Sequence, residues 1–289
     1  MTTAFVLSGG GSLGAVQVGM LQALADRGIA PDLLVGTSAG ALNAAFVAGH
    51  SAEPSAIAEL GRVWQSVRTR SLFRLQPQHA VLALLGRRPS LFSPEGLDEL
   101  IRGHLAFDRL EDASIPLTLV ASDLLTGEEV SLSHGSVRRA IAASCAIPGV
   151  FPPVEIDGRL LVDGALANNA ALSMAAEVGA DRIFVLSTGY SCDLSAPPRS
   201  ALGVLAQASA LLLHQRLVQD VRSFAGSADL VVLPPPCPIR VSALDFRHAM
   251  GLAAAGRAAA GAWLDRHQGR PAVPGSVRAG EIALHVHPR

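Results

Sequence analysis

Cysteine is scarce in this sequence. The chain has three cysteines, Cys145, Cys192 and Cys237. They are odd in number, lie far apart and include no C-x-x-C pair, which argues against both a disulfide framework and a structural zinc site. We therefore expect a reducing compartment, the cytoplasm.

The sequence also lacks an excess of one charge and a long hydrophobic run. It has 23 basic and 24 acidic residues, so no broad positive field attracts nucleic acid, and we expect no nucleic-acid partner. The segment 1–7 has no basic region and meets glycines after four apolar residues, unlike a signal peptide. No other stretch reaches about 18 uninterrupted apolar residues, the length of a membrane span. We expect a protein that is soluble or peripheral at a membrane.

Apolar residues are plentiful and regularly spaced. The chain has 289 residues, of which 49% are hydrophobic, enough for a sizeable core. Short apolar runs alternate with stretches of helical period, which is the pattern of βαβ units. We predict an α/β fold with a mainly parallel central sheet, in one domain over 1–269. The Pro- and Gly-rich tail 270–289 is expected to be poorly ordered.

The same patterns predict individual elements. Strands are predicted at 4–7, 33–35, 117–121, 129–132, 183–187 and 230–233, and a hairpin around the Asp157-Gly158 turn. Helices are predicted at 12–26, 43–48 and 202–224, and from the Ser93-Pro94-Glu95 cap onward.

The least regular segment runs from about 70 to 94, where leucine and phenylalanine are mixed with arginine and proline. Two interpretations stay open. The segment could be a lid or interfacial contact whose apolar residues enter lipid while the arginines meet head groups. It could equally be a buried connector.

A glycine-rich turn follows the first predicted strand. Gly9, Gly11 and Gly14 fit the dinucleotide pattern G-x-G-x-x-G. That function requires an acidic residue at the end of the second strand, whereas here Asp32 begins it. Instead, the run Gly9-Gly10-Gly11 at a helix start can point backbone N–H groups at one oxygen, as an oxyanion hole does.

A second glycine turn contains the candidate nucleophile. Gly36-Thr37-Ser38-Ala39-Gly40 fits G-x-S-x-G between a strand and a helix, where a strained turn presents the serine hydroxyl and small neighbours admit a substrate. An α/β-hydrolase would place several strands before this serine, but the 37 preceding residues leave room for two. None of the nine histidines has a distinctive setting for a base.

Asp163 is the candidate base. The run Leu160-Leu161-Val162 leads from a strand to Asp163, and the small residues Gly164 and Ala165 keep space open around the carboxylate. Aspartate has an ordinary pKa near 3.9 and is a weak base at neutral pH, so a dry site and the glycine donors must compensate. Alternatively, Asp163 is a turn residue that bonds its own backbone.

With these three motifs, the sequence resembles the patatin-like phospholipase family over roughly 5–186. The resemblance rests on the segments 8–14 and 36–40, on Asp163-Gly164-Ala165, and on 142–153, a segment typical of the family. It implies a three-layer α/β/α fold and a Ser38–Asp163 dyad that hydrolyses lipid acyl esters without metal or organic cofactor. It also implies an oxyanion hole at Gly9, Gly10 and Gly11.

Two positions depart from the family pattern. Many members have aspartate and a basic residue where this chain has Ser8 and Leu13, which puts phospholipid preference in more doubt than ester hydrolysis. Two other functions stay open: a lipid-binding protein of the same fold without turnover, and an acyltransferase that uses the same dyad.

Overall fold

The computed structural model describes residues 1–74, 76–194, 196–224 and 228–267. The predicted tail 270–289 lies outside them. In the described residues the chain forms eight strands: β1 (Thr3–Leu7), β2 (Leu33–Thr37), β3 (Leu117–Asp123), β4 (Glu129–Leu132), β5 (Val154–Ile156), β6 (Arg159–Asp163), β7 (Arg182–Leu186) and β8 (Asp229–Leu233). The longer helices are α1 (Gly14–Ala25), α2 (Ala39–His50), α3 (Pro54–Ser66), α6 (Glu95–His104), α9 (Ala201–Ser223) and α10 (Ala249–His267); the short ones are α4 (Thr69–Leu72), α5 (Pro77–Leu84), α7 (Val137–Ser144) and α8 (Leu172–Glu177).

The strands form one mixed sheet in the order β5-β6-β3-β2-β1-β7-β8, and β4 also pairs with β3. The central and β8-side strands β3, β2, β1, β7 and β8 pair in parallel, while β4, β5 and β6 add antiparallel pairs at the other side. The carboxyl ends of β1 and β2 therefore meet at one edge of the sheet. This edge carries the glycine turn and the candidate nucleophile.

Both faces of the sheet are buried, because alternate residues of a strand point to opposite faces. The apolar core consists of two clusters, one on each face of the sheet. Phe5 and Leu7 of β1 belong to the larger cluster, which contains residues of α1, α2, α3 and α10. Ala4 and Val6 belong to the smaller cluster, which contains residues of α8 and part of α9. The predicted three-layer α/β/α fold is confirmed.

Four helices were not predicted from the sequence: α3, α7, α8 and α10. Of these, α10 packs tightly on α1. A Cβ atom added to Gly256 would lie 2.3 Å from the carbonyl oxygen of Val16, so glycine permits this close crossing. The Ala- and Gly-rich composition that allows the contact also weakens the apolar stripe by which an amphipathic helix is predicted. For α3 the signal was present, because Pro54 occupies the first turn and Ile57, Leu60 and Trp64 share one buried face.

The helix α9 has an apolar composition. In the part of the chain that the structure describes, it is the one helix long and apolar enough to cross a membrane by length and composition alone. Its Leu217, Val218 and Val221 are buried in the folded domain, whereas Leu205 and Leu212 are exposed.

The cysteines are not all far apart, contrary to the expectation from their spacing. Cys145 is buried, but the Sγ atoms of Cys192 and Cys237 lie 3.4 Å from each other without a disulfide bond. Sequence separation concealed this pair because β7 and β8, which precede the two cysteines, are neighbours in the sheet.

Candidate active site

The candidate nucleophile lies in a sharp turn between β2 and α2. Ser38 has φ 54° and ψ −120°, a conformation that residues with a side chain rarely adopt and that is costly to maintain. Gly40 makes the turn possible, because an added Cβ atom would lie 2.1 Å from the carbonyl oxygen of Leu7. At Gly36, an added Cβ atom would lie 2.7 Å from the carbonyl oxygen of Gly40. Both predicted elbow glycines are thus required by close backbone contacts.

Side chains from α7 and the residue after it hold this turn in place. The backbone N–H of Ser38 donates to Ser144 Oγ at 2.9 Å, and Ser144 Oγ donates to the carbonyl oxygen of Val120 at 2.6 Å. The thiol of Cys145 donates to the carbonyl oxygen of Ser38 at 3.2 Å. Sequence reasoning identified this segment only by resemblance and assigned no role to either side chain.

The carboxylate of Asp163 lies directly against the Ser38 hydroxyl. Ser38 Oγ donates to Asp163 Oδ2 at 2.6 Å across 125 residues of sequence. The other oxygen, Oδ1, accepts from the backbone N–H of Ala165 at 3.0 Å. This bond is also the one expected if Asp163 is a turn residue that bonds its own backbone. The backbone of Asp163 is fixed as well, because its carbonyl oxygen accepts from Ser122 Oγ. The structure therefore brings together the two residues predicted as nucleophile and base.

The surroundings of Asp163 disfavour its charged form. Its side chain is buried, with 5% of the residue exposed. Burial raises the pKa of Asp163 from 3.8 to about 6, while the hydrogen bonds from Ser38 and Ala165 act in the opposite direction. Burial and the neighbouring Asp163 charge also raise the pKa of Cys145, which keeps this thiol protonated. In the described residues no histidine bonds to either Ser38 or Asp163.

The glycine turn lies against Ser38, but its three glycines are not equivalent. An added Cβ atom on Gly9 would lie 3.1 Å from Ser38 Cβ. The N–H of Gly9 donates to Asn169 Oδ1 at 2.9 Å, so it is not free to bind an oxyanion as the sequence suggested. Within the described part of the chain, the N–H groups of Gly10 and Gly11 have no such partner. Gly11 also has φ 57°, which favours glycine.

The turn is held from both sides by residues that the sequence did not indicate. On one side, Thr188 Oγ1 donates to the carbonyl oxygen of Gly9 at 2.7 Å. On the other, Gln17 Nε2 donates to the carbonyl oxygens of Ser8 and Leu186, each at 2.8 Å. Gln17 is fully buried, and a buried polar side chain with these partners fixes the position of the backbone it holds.

The Gln17 network continues into the wall of a cleft. Asn43 Nδ2 donates to Gln17 Oε1 at 2.8 Å, and Trp64 Nε1 donates to Asn43 Oδ1 at 2.7 Å. These polar residues lie among apolar helical positions of α1, α2 and α3. For Gln17 and Asn43, a polar side chain in the otherwise mostly apolar helices α1 and α2 was the one signal that could have identified them.

An apolar cleft of about 860 Å³, including open space at its mouth, begins at Ser38 and Gly11. Asp163 does not line it, because the carboxylate lies behind the serine hydroxyl. Its walls are mostly aliphatic and aromatic side chains, among them Leu42, Phe46, Leu60, Trp64, Leu72, Phe73, Leu97, Ile101, Ile141, Phe151 and Phe246. Such a cleft accommodates an extended apolar group next to the hydroxyl.

One part of the irregular segment 70–94 lines this cleft, and another part, α5, is exposed. Leu72 and Phe73 line the cleft, whereas α5 has no buried residue. Val81, Leu84 and Leu85 are 55%, 81% and 64% exposed. The interpretation as a buried connector is therefore wrong for α5.

The described residues contain no group of three or more His, Cys, Asp or Glu side chains placed to hold a metal ion.

The two positions that depart from the family pattern, Ser8 and Leu13, are both occupied by residues with structural contacts. Leu13 is buried in the larger apolar cluster, and Ser8 Oγ accepts from the N–H of Thr188. Neither position offers a charged group to a substrate.

Comparison with known proteins identifies relatives of the chain. A family model described as patatin-like phospholipase matches residues 5–176. An uncharacterised NTE family protein of Mycobacterium tuberculosis is 33% identical over 189 residues, which cover 65% of this chain and 49% of that protein. Patatin-like phospholipase domain-containing protein 7 of Rattus norvegicus is 31% identical over 188 residues, 64% of this chain and 13% of that protein. The chain thus matches about half the length of the mycobacterial relative.

A solved structure supports the fold. VipD from Legionella pneumophila superposes with a TM-score of 0.51 at 14% identity, covering 92% of this chain and 67% of VipD. At this identity the similarity concerns the arrangement of helices and strands.

Proposed function

The chain belongs to the patatin-like phospholipase family, and we propose that it is a serine acyl hydrolase of lipid esters with Ser38 as nucleophile and Asp163 as base. One contact supports this most directly, the 2.6 Å hydrogen bond from the strained Ser38 hydroxyl to the buried Asp163 carboxylate. A nucleophile and a base within hydrogen-bond reach are what acyl transfer through a serine requires.

In the first half of the reaction, Ser38 Oγ attacks the ester carbonyl while its proton passes to Asp163 Oδ2. The N–H groups of Gly10 and Gly11 stabilise the oxyanion, and one such donor contributes about 3 kcal/mol in other enzymes. Asp163 then returns the proton to the leaving alcohol, which departs and leaves an acyl-serine. In the second half, water gives a proton to Asp163 and attacks the acyl-serine. The bond to Ser38 Oγ then breaks, the fatty acid leaves, and Asp163 returns the proton to Ser38 Oγ, which restores the free enzyme.

The raised pKa of Asp163 favours this role. A carboxylate with a pKa of about 6 accepts a proton more readily than one at the ordinary 3.8, and at neutral pH it is still mostly ionised. Burial therefore supplies part of the basicity that a histidine would otherwise provide.

The cleft favours a substrate with a long apolar acyl chain. Its walls are apolar, and of the described lining residues only His104 and Cys145 are titratable. We propose phospholipase A-like or lysophospholipase-like hydrolysis in which the acyl chain, more than the head group, determines recognition.

Fatty-acid release from long-chain lipid esters by the purified chain tests this function. We expect Ser38→Ala and Asp163→Asn to abolish release, and Asp157→Asn to retain it. Asp157 is a matched control because it lies in the β5–β6 turn with a positive φ that asparagine tolerates. Release that survives Ser38→Ala would refute the proposal. Transfer to an added alcohol in preference to water would assign the dyad to an acyltransferase, and no turnover with an intact fold would assign the chain to lipid binding.

We also propose that α5 contacts the membrane from which the substrate is taken. Leu84 at its end and the next residue, Leu85, are exposed and are followed by the exposed Arg87 and Arg88. In sequence, α5 begins four residues after Phe73, which lines the cleft. Apolar residues beside cations suit the interface between acyl chains and anionic head groups.

Hydrogen exchange with and without anionic micelles tests this contact. We expect micelles to slow exchange in α5, and Leu84→Gln with Leu85→Gln to lower micelle affinity more than Val178→Gln does. Val178 is a control because it is 58% exposed and precedes the amino end of β7, at the sheet edge opposite the one that carries Ser38. Unchanged exchange in α5 would contradict the contact.

A further inference from the structure

Two cysteines outside the cleft lie in contact. Cys192 follows β7 and Cys237 follows β8, and their Sγ atoms are 3.4 Å apart although 45 positions separate them in sequence. Cys237 is exposed and Cys192 is half-buried, so solvent reaches the pair. The backbone N–H of Ile239 donates to Cys192 Sγ at 3.3 Å, which holds this sulfur in place.

The contact is built into the sheet. β7 and β8 are parallel neighbours, so the loops that follow them leave the sheet at the same edge. The N–H of Asp193 donates to the carbonyl oxygen of Ile239 at 3.1 Å, and Arg240 Nε lies 2.8 Å from Asp193 Oδ2. The two loops therefore stay together without a covalent link.

The same two loops hold the glycine turn. The loop after β7 contains Thr188, which bonds to Gly9. The loop after β8 leads to Ala243, whose carbonyl oxygen accepts from the N–H of Ser12 at 2.8 Å. Between them, Ser191 Oγ donates to the carbonyl oxygen of Val241 at 2.5 Å.

We propose that Cys192 and Cys237 form a reversible dithiol–disulfide site that clips together the two loops supporting the glycine turn. A peroxide is the oxidant. The exposed Cys237 thiol takes one oxygen from hydrogen peroxide and becomes a sulfenic acid, with release of water. Cys192 then attacks the Cys237 sulfur, the S–S bond forms, and a second water leaves with the Cys192 proton. The two sulfurs each lose one electron, and the peroxide is reduced to two waters.

The geometry makes this a small step. The two sulfurs must approach by about 1.4 Å to reach the S–S bond length of about 2.05 Å. Burial and the adjacent Cys192 raise the pKa of Cys237 to about 11, so little of this thiol is ionised at neutral pH, and its reaction with peroxide is slow there and accelerates as pH rises. Cys145 serves as an internal control, because it is buried and its thiol bonds to the carbonyl oxygen of Ser38, not to another cysteine.

The test is thiol counting on the folded protein after treatment with hydrogen peroxide. After alkylation and digestion, we expect Cys192 and Cys237 to be lost together as one cross-linked peptide within a monomer, and Cys145 to remain alkylatable. Dithiothreitol restores both thiols. The oxidised protein should also unfold at a temperature several degrees higher, because the bond constrains the unfolded chain.

The single variants Cys192→Ser and Cys237→Ser make the result specific. Neither forms the cross-linked peptide, and neither shows the rise in unfolding temperature. The proposal is overturned if peroxide converts Cys237 to sulfinic or sulfonic acid while Cys192 stays free, or if it yields only disulfides between two chains. Because the readouts are thiols and unfolding, they do not depend on lipid hydrolysis.

Discussion

The Asp163→Asn variant should be inactive but more stable than the wild type at neutral pH. Asparagine has nearly the shape of aspartate without its charge. Its carbonyl oxygen can accept from the N–H of Ala165, and its amide can donate to Ser38 Oγ, so both hydrogen bonds of the native carboxylate have a replacement. What the substitution removes is the cost of burying a carboxylate.

The size of this gain follows from the pKa of Asp163. In the unfolded chain the pKa is near 3.8, and in the folded protein burial raises it to about 6. Well below pH 3.8 the carboxyl is protonated in both states, and its burial then carries no cost of removing a charge from water. As pH rises from about 4 to 6 the unfolded chain ionises first, so stability falls with pH. Above pH 6 the difference amounts to about 3 kcal/mol.

Thermal or urea unfolding of both proteins between pH 4 and pH 8 measures this difference. At pH 8 we expect Asp163→Asn to unfold at a temperature higher by roughly 6 °C, and near pH 4 we expect this difference to shrink to about 1 °C. Asp245→Asn gives the opposite sign in the same assay, because bonding to Arg247 lowers the pKa of Asp245 to about 2. The reasoning is refuted if Asp163→Asn is equally or less stable than the wild type at pH 8.

Two further substitutions, each with a control variant, probe the turns around Ser38. Gly40→Ala should destabilise the fold by about 2 kcal/mol or more in urea unfolding, because its Cβ would press on the backbone at the end of β1. Gly103→Ala, in open space on α6, should be neutral or stabilising by up to about 1 kcal/mol, and equal losses in both would contradict this reasoning. Asn169→Ala should lower kcat by about 100-fold, because Gly9 loses its partner and the oxyanion donors shift. Asn168→Ala, which removes a bond to the half-buried Glu129 carboxylate and none to the glycine turn, should leave kcat unchanged, and equal kcat values for the two asparagine variants would count against a role for the Gly9 contact.

Sequence predicted the parts of the site that depend on local patterns. The strand-turn-helix around Ser38, the hairpin that leads to Asp163 and the glycine turn each have a short-range signature. The order of these motifs then indicated that one aspartate, not a histidine, faces the serine.

The remaining parts depend on contacts between distant segments. Thr188 and Asn169 take their roles from neighbours in space, and no local pattern distinguishes them from other polar residues. The Gly9 assignment failed for the same reason, since the partner of its N–H lies 160 positions away. The Cys192–Cys237 pair likewise follows from the order of β7 and β8 in the sheet.

The central claim is that Asp163 acts directly as the base for Ser38. The most direct measurement is the rate at which a long-chain fluorophosphonate labels Ser38, followed from pH 4 to pH 9. We predict that the rate rises with a midpoint near pH 6, that Asp163→Asn is labelled at least about 100-fold more slowly at pH 8, and that its rate lacks this midpoint. Labelling of Asp163→Asn at the wild-type rate, with the same pH dependence, would contradict the dyad.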